Sequence, residues 1–263
     1  MTSASEIKNV VLIGANGNLG RILLSALVQS KYFQVTVVNR VSSSDISYDG
    51  VIVVKSAFTQ SDLAKVFAGQ DAIVSAVGAE GFNEQKTFID AAIEAGVKRF
   101  IPSEFSTNTL SDAVLELVPL FNAKKAVLDY LKEKESTGMT WTGLAGGLLL
   151  DWGLQAGFLG FDLAGKKATI WDDGNTPYSA TSKEDIGKAT VSILRNSSET
   201  ANRYLHIATA TVTQNAILDA VQNRTGENWS VERVSTDKQT ALGRQLVSQG
   251  DFTGMLLLVQ ASA

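Results

Sequence analysis

Three glycines at fixed spacing mark the first piece of chemistry in this chain. They fall in Gly14-Ala15-Asn16-Gly17-Asn18-Leu19-Gly20. An apolar run that reads as a strand, Ile7 to Ile13, precedes them. A helical pattern with Leu19, Leu23, Leu24 and Leu27 on one face follows. At such a junction the first glycine permits a tight turn, and the second lets backbone amides approach a pyrophosphate. The third lets the helix pack against the sheet. Unpaired amides and the positive end of the helix dipole then favour phosphate. The loop therefore implies a dinucleotide, held by Gly14, Asn16, Gly17, Asn18, Leu19 and Gly20.

The end of the next strand decides between the two nicotinamide dinucleotides. About twenty residues past such a loop, an acidic side chain would bind a ribose 2′-hydroxyl. Here the chain reads Asn39-Arg40-Val41-Ser42-Ser43-Ser44. A guanidinium matches a 2′-phosphate bidentately, and serine hydroxyls add donors. Arg40 thus points to NADP(H) rather than NAD(H).

Other chemistries are narrowed by what the 263 residues contain. With no cysteine, disulfides, thiolate nucleophiles and cysteine-held zinc or iron–sulfur centres are excluded. His206 is the one histidine, so a histidine-rich metal site or a Ser-His-Asp triad is hard to build, and a structural role is expected for it. A net charge of -4 with scattered basic residues argues against a nucleic-acid partner. The start, Met1 to Glu6, is polar and lacks the pattern of a signal peptide, and the glycine-broken strand after it is too short to span a bilayer. A cytoplasmic location without membrane attachment is the expectation.

The elements that must position these residues follow a βαβ rhythm over the first 145 residues. Strands are predicted at Gln34 to Val38, Val51 to Val54, Ala72 to Val77, Arg99 to Ile101 and Thr140 to Leu144. Helices are predicted from a Ser61 cap to Phe67, across Gln85 to Glu94, and from about Leu120 to Glu133. Beyond Gly146-Gly147 the rhythm loosens, with a strand at Ala168 to Trp171 and a helix at Glu184 to Leu194. Another strand is expected at Tyr204 to Ala208 and another helix at Thr213 to Arg224. The expected fold is α/β: a Rossmann-type, doubly wound parallel sheet over residues 1–145, with a smaller C-terminal substrate-binding lobe over 146–263, interleaved with the sheet.

Further segments carry a family resemblance: Lys98-Arg-Phe-Ile-Pro-Ser-Glu-Phe105, Lys124-Lys-Ala-Val-Leu followed by Gly138-Met-Thr-Trp-Thr, Gly174-Asn-Thr-Pro and Lys183-Glu-Asp-Ile-Gly-Lys. Together they resemble the isoflavone reductase-like group of atypical short-chain dehydrogenases. That group includes pinoresinol–lariciresinol and phenylcoumaran benzylic ether reductases and the NmrA-like proteins of fungi. The resemblance implies that the helix lysine acts as acid or base beside the nicotinamide, which maps to Lys124, with Lys125 one position along. A partly desolvated lysine near a positively charged ring has its pKa lowered toward neutrality. The remaining cofactor contacts expected are Phe58, Ala76, Val77, Gly78, Ser103, Phe105, Lys124 and Gly147.

Departures from that group refine the expectation. Phe58 and Ala57 stand where an aspartate often lies near the adenine, leaving apolar contact. Leu120 lies four residues before Lys124, so the ordinary Tyr-x-x-x-Lys pair is missing, and Tyr130 follows the lysines. This fits a substrate that itself forms the electrophile, such as a quinone methide or activated enone. The aromatic and apolar wall expected for it comprises Phe82, Phe105, Phe121, Leu149, Trp152, Phe158 and Trp171. Glu104 is either a second acid–base group or a solvated, helix-capping residue.

Three functions are compatible with these features. The first is an NADPH-dependent reductase of an aromatic or conjugated small molecule, with hydride from nicotinamide C4 and Lys124 managing a proton. The second is an NmrA-like sensor, in which NADP(H) occupancy changes contacts with a protein partner and no turnover occurs. The third is a non-redox isomerase or cyclase that holds NADP without consuming it. No metal is expected in any of them.

Overall fold

A computed structural model describes residues 6–43 and 47–262. Met1–Ser5 of the polar start, Ser44 of the serine run and the terminal Ala263 lie outside the described residues. In chain order the elements are β1 (Asn9–Ile13), α1 (Asn18–Ser30), β2 (Gln34–Arg40), β3 (Val51–Ser56), α2 (Gln60–Phe67), β4 (Ala72–Ser75), α3 (Gln85–Glu94) and β5 (Arg99–Ile101). They continue with α4 (Asp112–Leu117), α5 (Phe121–Glu133), β6 (Thr140–Ala145), β7 (Leu148–Leu149), α6 (Leu150–Gln155), β8 (Phe161–Asp162), β9 (Lys167–Trp171) and β10 (Tyr178–Thr181). The last are α7 (Lys183–Arg195), β11 (Arg203–His206), β12 (Ala210–Val212), α8 (Gln214–Thr225), β13 (Ser230–Val234), α9 (Thr236–Ser248) and α10 (Thr253–Ala261).

The chain forms two compact units. The first takes the described chain through Phe105 together with Ala123–Leu144 and Ile186–His206. The second takes Ser106–Asn122, Ala145–Asp185 and the described chain from Ile207.

In the first unit a seven-stranded sheet runs β11-β6-β5-β4-β1-β2-β3. Strands β3 to β6 pair in parallel, and the order reverses at β1, the switch point of a doubly wound fold. Val35 to Asn39 of β2 are all buried, as expected for a strand covered on both faces. One core joins Val11, Ile13, Val38 and Ile73 of the sheet to Leu63, Phe67, Phe88, Ile89, Val127 and Leu131 of the helices. Helix α1 buries Leu23, Leu24 and Leu27, while Leu19 is half-buried. The cap of α2 is Thr59, not Ser61. Thr59 is still extended (φ −76°, ψ 154°) and accepts from the Asp62 amide, whereas Ser61 already lies inside the helix. Helix α5 begins one residue later than expected.

In the second unit β10 lies between β12 and β7, and β9 between β13 and β8. Phe161, Ala168, Ile170, Ile217, Leu218 and Trp229 form its main core. Among the described residues no helix is long and apolar enough to cross a membrane.

Candidate functional site

The glycine loop has the geometry its spacing implies, and its three glycines answer to different neighbours. Gly14 sits at φ +86°, and a Cβ there would lie 2.5 Å from the Ala76 carbonyl oxygen. A Cβ on Gly20 would lie 2.0 Å from the Gly14 carbonyl oxygen, so the first turn of α1 packs directly on the loop. Gly17 differs: its backbone is ordinary extended chain (φ −72°, ψ 169°), and a Cβ would meet nothing closer than Gly14 O at 3.6 Å. Gly78, after β4, likewise has nothing within 4 Å. Neither glycine is demanded by the protein's own packing, and both leave room for something outside the chain.

Polarity around the loop fits a phosphate-bearing ligand. Helix α1 carries no side-chain cap and no acid in its first turn, so its amides and dipole are uncompensated. Buried Asn16 Oδ1, Asn39 Nδ2 and Ser75 Oγ have no hydrogen-bond partner among the described residues. Ile13 pairs with Val38 on one side and Ser75 on the other, so Asn39 and Ser75 flank the turn at Gly14. Exposed Asn18 opens α1. These residues suit a dinucleotide whose pyrophosphate lies over the α1 terminus.

Arg40 ends β2 and pairs with Glu84, both half-exposed. Its guanidinium carbon stands 4.5 Å from the Phe58 ring centroid, and Phe58, at φ +60°, meets Phe88 edge-on at 5.6 Å. The Ser43 amide donates to the Arg40 carbonyl at 2.9 Å. The ion pair to Glu84 was not legible in the local sequence.

A second cluster lies where β5 ends. The Ala76 amide donates to Ile13 O at 2.8 Å, and the next residue, Val77, accepts from Ser103 Oγ at 2.8 Å. The Ser103 amide donates to the buried Gln85 side chain at 2.8 Å, and the Phe105 amide donates to Leu144 O at 2.7 Å. Phe105 itself is left at φ +39°, a backbone region that costs a non-glycine residue of order 1–3 kcal/mol and clusters at functional sites. Glu104 is thus gripped from both sides. It is only 2% exposed, which replaces the expectation of a solvated or helix-capping acid.

Lys124 points into this cluster and is 5% exposed. Its Nζ donates to the Glu104 carbonyl at 2.6 Å and stands 5.0 Å from the centroid of the Phe82 ring. Burial lowers its pKa to about 8, partly opposed by the attraction of Glu104. Lys125, ~100° round the helix, turns outward and pairs with Asp129 at 2.6 Å. Tyr204 of β11 donates its hydroxyl to Glu104 Oε2 at 3.1 Å. His206 is exposed at the end of β11, its ring edge-on to Tyr204 at 5.3 Å. Gln85, Tyr204 and Glu84 were not anticipated. Only Gln85 carried a local signal, a polar residue opening an otherwise apolar helix face.

The other expected residues belong to the second unit. Gly147 is at φ +63°, and a Cβ there would lie 2.2 Å from Ser179 O, so packing inside the second unit accounts for it. Phe121 is buried with Val118, Met255 and Leu258, a core position rather than a pocket wall. Leu149 is half-buried where β7 pairs with β10. Trp152 and Phe158 stack obliquely at 5.8 Å. Trp171 lines a cavity of about 210 Å³ in the second unit, with Leu148, Leu159, Tyr178 and Gln214. Among the described residues no cluster of three or more His, Asp or Glu could hold a metal.

The NmrA-like family profile matches residues 6–245. An Aspergillus flavus protein named oxidoreductase aprR is 35% identical over 254 residues, covering 95% of this chain and 85% of its own. A Zea mays protein named isoflavone reductase homolog IRL is 27% identical over 248 residues, covering 88% and 79%. The fold matches that of AtPrR2 solved with NADP+ and (+)-pinoresinol. Its TM-score is 0.75 at 21% identity, over 96% of this chain and 90% of that one.

Proposed function

Because the chain belongs to the NmrA-like family, we propose that it is an NADP(H)-dependent oxidoreductase that reduces an aromatic or otherwise conjugated small molecule, with Lys124 as its acid–base group. Lys124 carries the reading: a lysine buried beside an aromatic ring, in the same unit as the glycine loop, with its pKa drawn down to about 8.

Bound at the loop, NADPH supplies a hydride equivalent. The α1 amides would hold its pyrophosphate and Arg40 its 2′-phosphate, with Asn39 and Ser75 flanking the turn at Gly14. Lys124 handles the proton. With its pKa near neutrality it is charged at pH 7 and still releases the proton readily to an oxygen that gains negative charge. Phe82 excludes water from the ammonium and favours its charge through the ring face. The substrate class rests on the likeness to an isoflavone reductase homolog, with a fold shared by AtPrR2, which was solved with (+)-pinoresinol.

The test is NADPH consumption by purified protein with a panel of lignans, isoflavones and conjugated enones. Wild type is expected to oxidise NADPH one-for-one with product. Lys124→Met should lower turnover by roughly 10²–10⁴-fold while still binding NADPH. Tight NADPH binding with no consumption across the panel would sink the reductase reading in favour of a sensor. Product formed without net NADPH loss would point to an isomerase or cyclase.

A further inference from the structure

We propose that Glu104 and Tyr204 are positioning residues for Lys124: the Tyr204 hydroxyl anchors the Glu104 carboxylate, whose charge favours the lysine ammonium, while the Glu104 main-chain carbonyl receives Nζ. The inference rests on the acid–base reading of Lys124 and names the residues that set its charge.

The geometry that builds this arrangement is rigid. Glu104 sits between Ser103, tied to Gln85 and Val77, and Phe105, tied to Leu144 and held at φ +39°. Its amide donates to Pro102 O at 2.8 Å, leaving the Glu104 carbonyl to receive Nζ at 2.6 Å. The carboxylate is reached from the far edge of the sheet. β11 delivers Tyr204, whose hydroxyl lies 3.1 Å from Oε2. A buried carboxylate and a buried ammonium each lose much of their hydration. They remain charged together only when held close and hydrogen-bonded.

Several described groups surround the pair. Phe82 lies over Nζ and carries no charge. His206 touches Tyr204 by its ring and is open to solvent. Lys125 and Asp129 neutralise each other on the outer side of α5. Glu104 attracts Lys124, opposing the effect of burial.

The experiment is NMR titration of 13Cε-labelled lysine in the full chain, with Lys124 assigned by its loss in Lys124→Met. It is repeated in Glu104→Gln, Tyr204→Phe and the double variant, beside pH profiles of NADPH oxidation. Removing the carboxylate charge should move the Lys124 midpoint down by about 1–3 pH units. Tyr204→Phe should move it in the wild-type background and not in Glu104→Gln, because the tyrosine acts through the carboxylate. An unmoved midpoint in folded Glu104→Gln, or an equal effect of Tyr204→Phe in both backgrounds, overturns the proposal. Where Glu104→Gln does not fold, Tyr204→Phe alone decides, and a wild-type midpoint in that folded variant also overturns it. The catalytic reading is tested separately by the activity limb. A midpoint that moves while the limb stays would refute Lys124 as the acid–base group and with it the purpose of the pair.

Discussion

Gly17→Ala separates what the fold requires from what the cofactor requires. On the protein side the cost is small. The residue sits at φ −72° and ψ 169°, a conformation alanine adopts freely, and the new Cβ makes only an ordinary contact at 3.6 Å. Losing glycine restricts the unfolded chain and stabilises by about 0.4–1 kcal/mol. Alanine is a poorer N-cap than glycine by a similar amount, so the two effects nearly cancel. On the ligand side the methyl occupies the space where backbone amides would meet the pyrophosphate. Displacing the phosphates by enough to lose one charge-assisted hydrogen bond costs about 1.5–3 kcal/mol, which is roughly a 10- to 150-fold rise in Kd. The assay is fluorescence titration with NADPH beside a urea melt. Gly20→Ala serves as the contrast, because its Cβ would lie 2.0 Å from backbone and must disturb the loop itself. If Gly17→Ala binds NADPH as tightly as wild type while folding normally, the pyrophosphate does not cross that position and the loop argument fails.

Arg40→Ala should weaken NADPH binding tenfold or more and leave NADH binding unchanged, since only the former has a 2′-phosphate to lose. Glu84→Gln frees the same guanidinium from its ion pair and should tighten NADPH; equal cofactor affinities in all three proteins would refute the role of Arg40. Turnover should fall as pH rises through about 8, because burial lowers the Lys124 pKa to that value and the donating form is the ammonium. A pH profile flat from 6 to about 9.5 would contradict it. Arg99 is buried and bonds to Thr140, Thr142, Thr200 and the Ser197 carbonyl. Arg99→Met should therefore lower the urea midpoint by the equivalent of about 2–4 kcal/mol, and an effect under about 0.5 kcal/mol, typical of a surface site, would show the network to be dispensable.

The features legible in the sequence are those set by short-range spacing. Gly14, Gly17 and Gly20 fall within seven consecutive residues, so the turn and the helix start follow from local stereochemistry. The alternation of apolar runs and amphipathic stretches marked β1 to β6, because a strand buried on both faces needs a continuous apolar run. The choice of Thr59 over Ser61 as a helix cap was not legible, since both residue types cap and only the backbone angle separates them. Helix α9 was missed because it buries little and its polar residues blur the period, and α10 because its apolar run is too short and uniform to show one.

The sequence by itself thus determined a Rossmann-type α/β fold, through spacing along the chain, and, through its family resemblance, a lysine worth testing. Tertiary structure decided the state of that lysine. Lys124 and Lys125 are chemically identical and adjacent, yet one is buried with a lowered pKa and the other forms a surface ion pair. The lowering comes from burial, which Glu104, twenty residues away along the chain, partly opposes. Charge in a protein interior is governed by which groups the fold brings within a few ångströms and by how much water it removes, and neither quantity is written in local spacing.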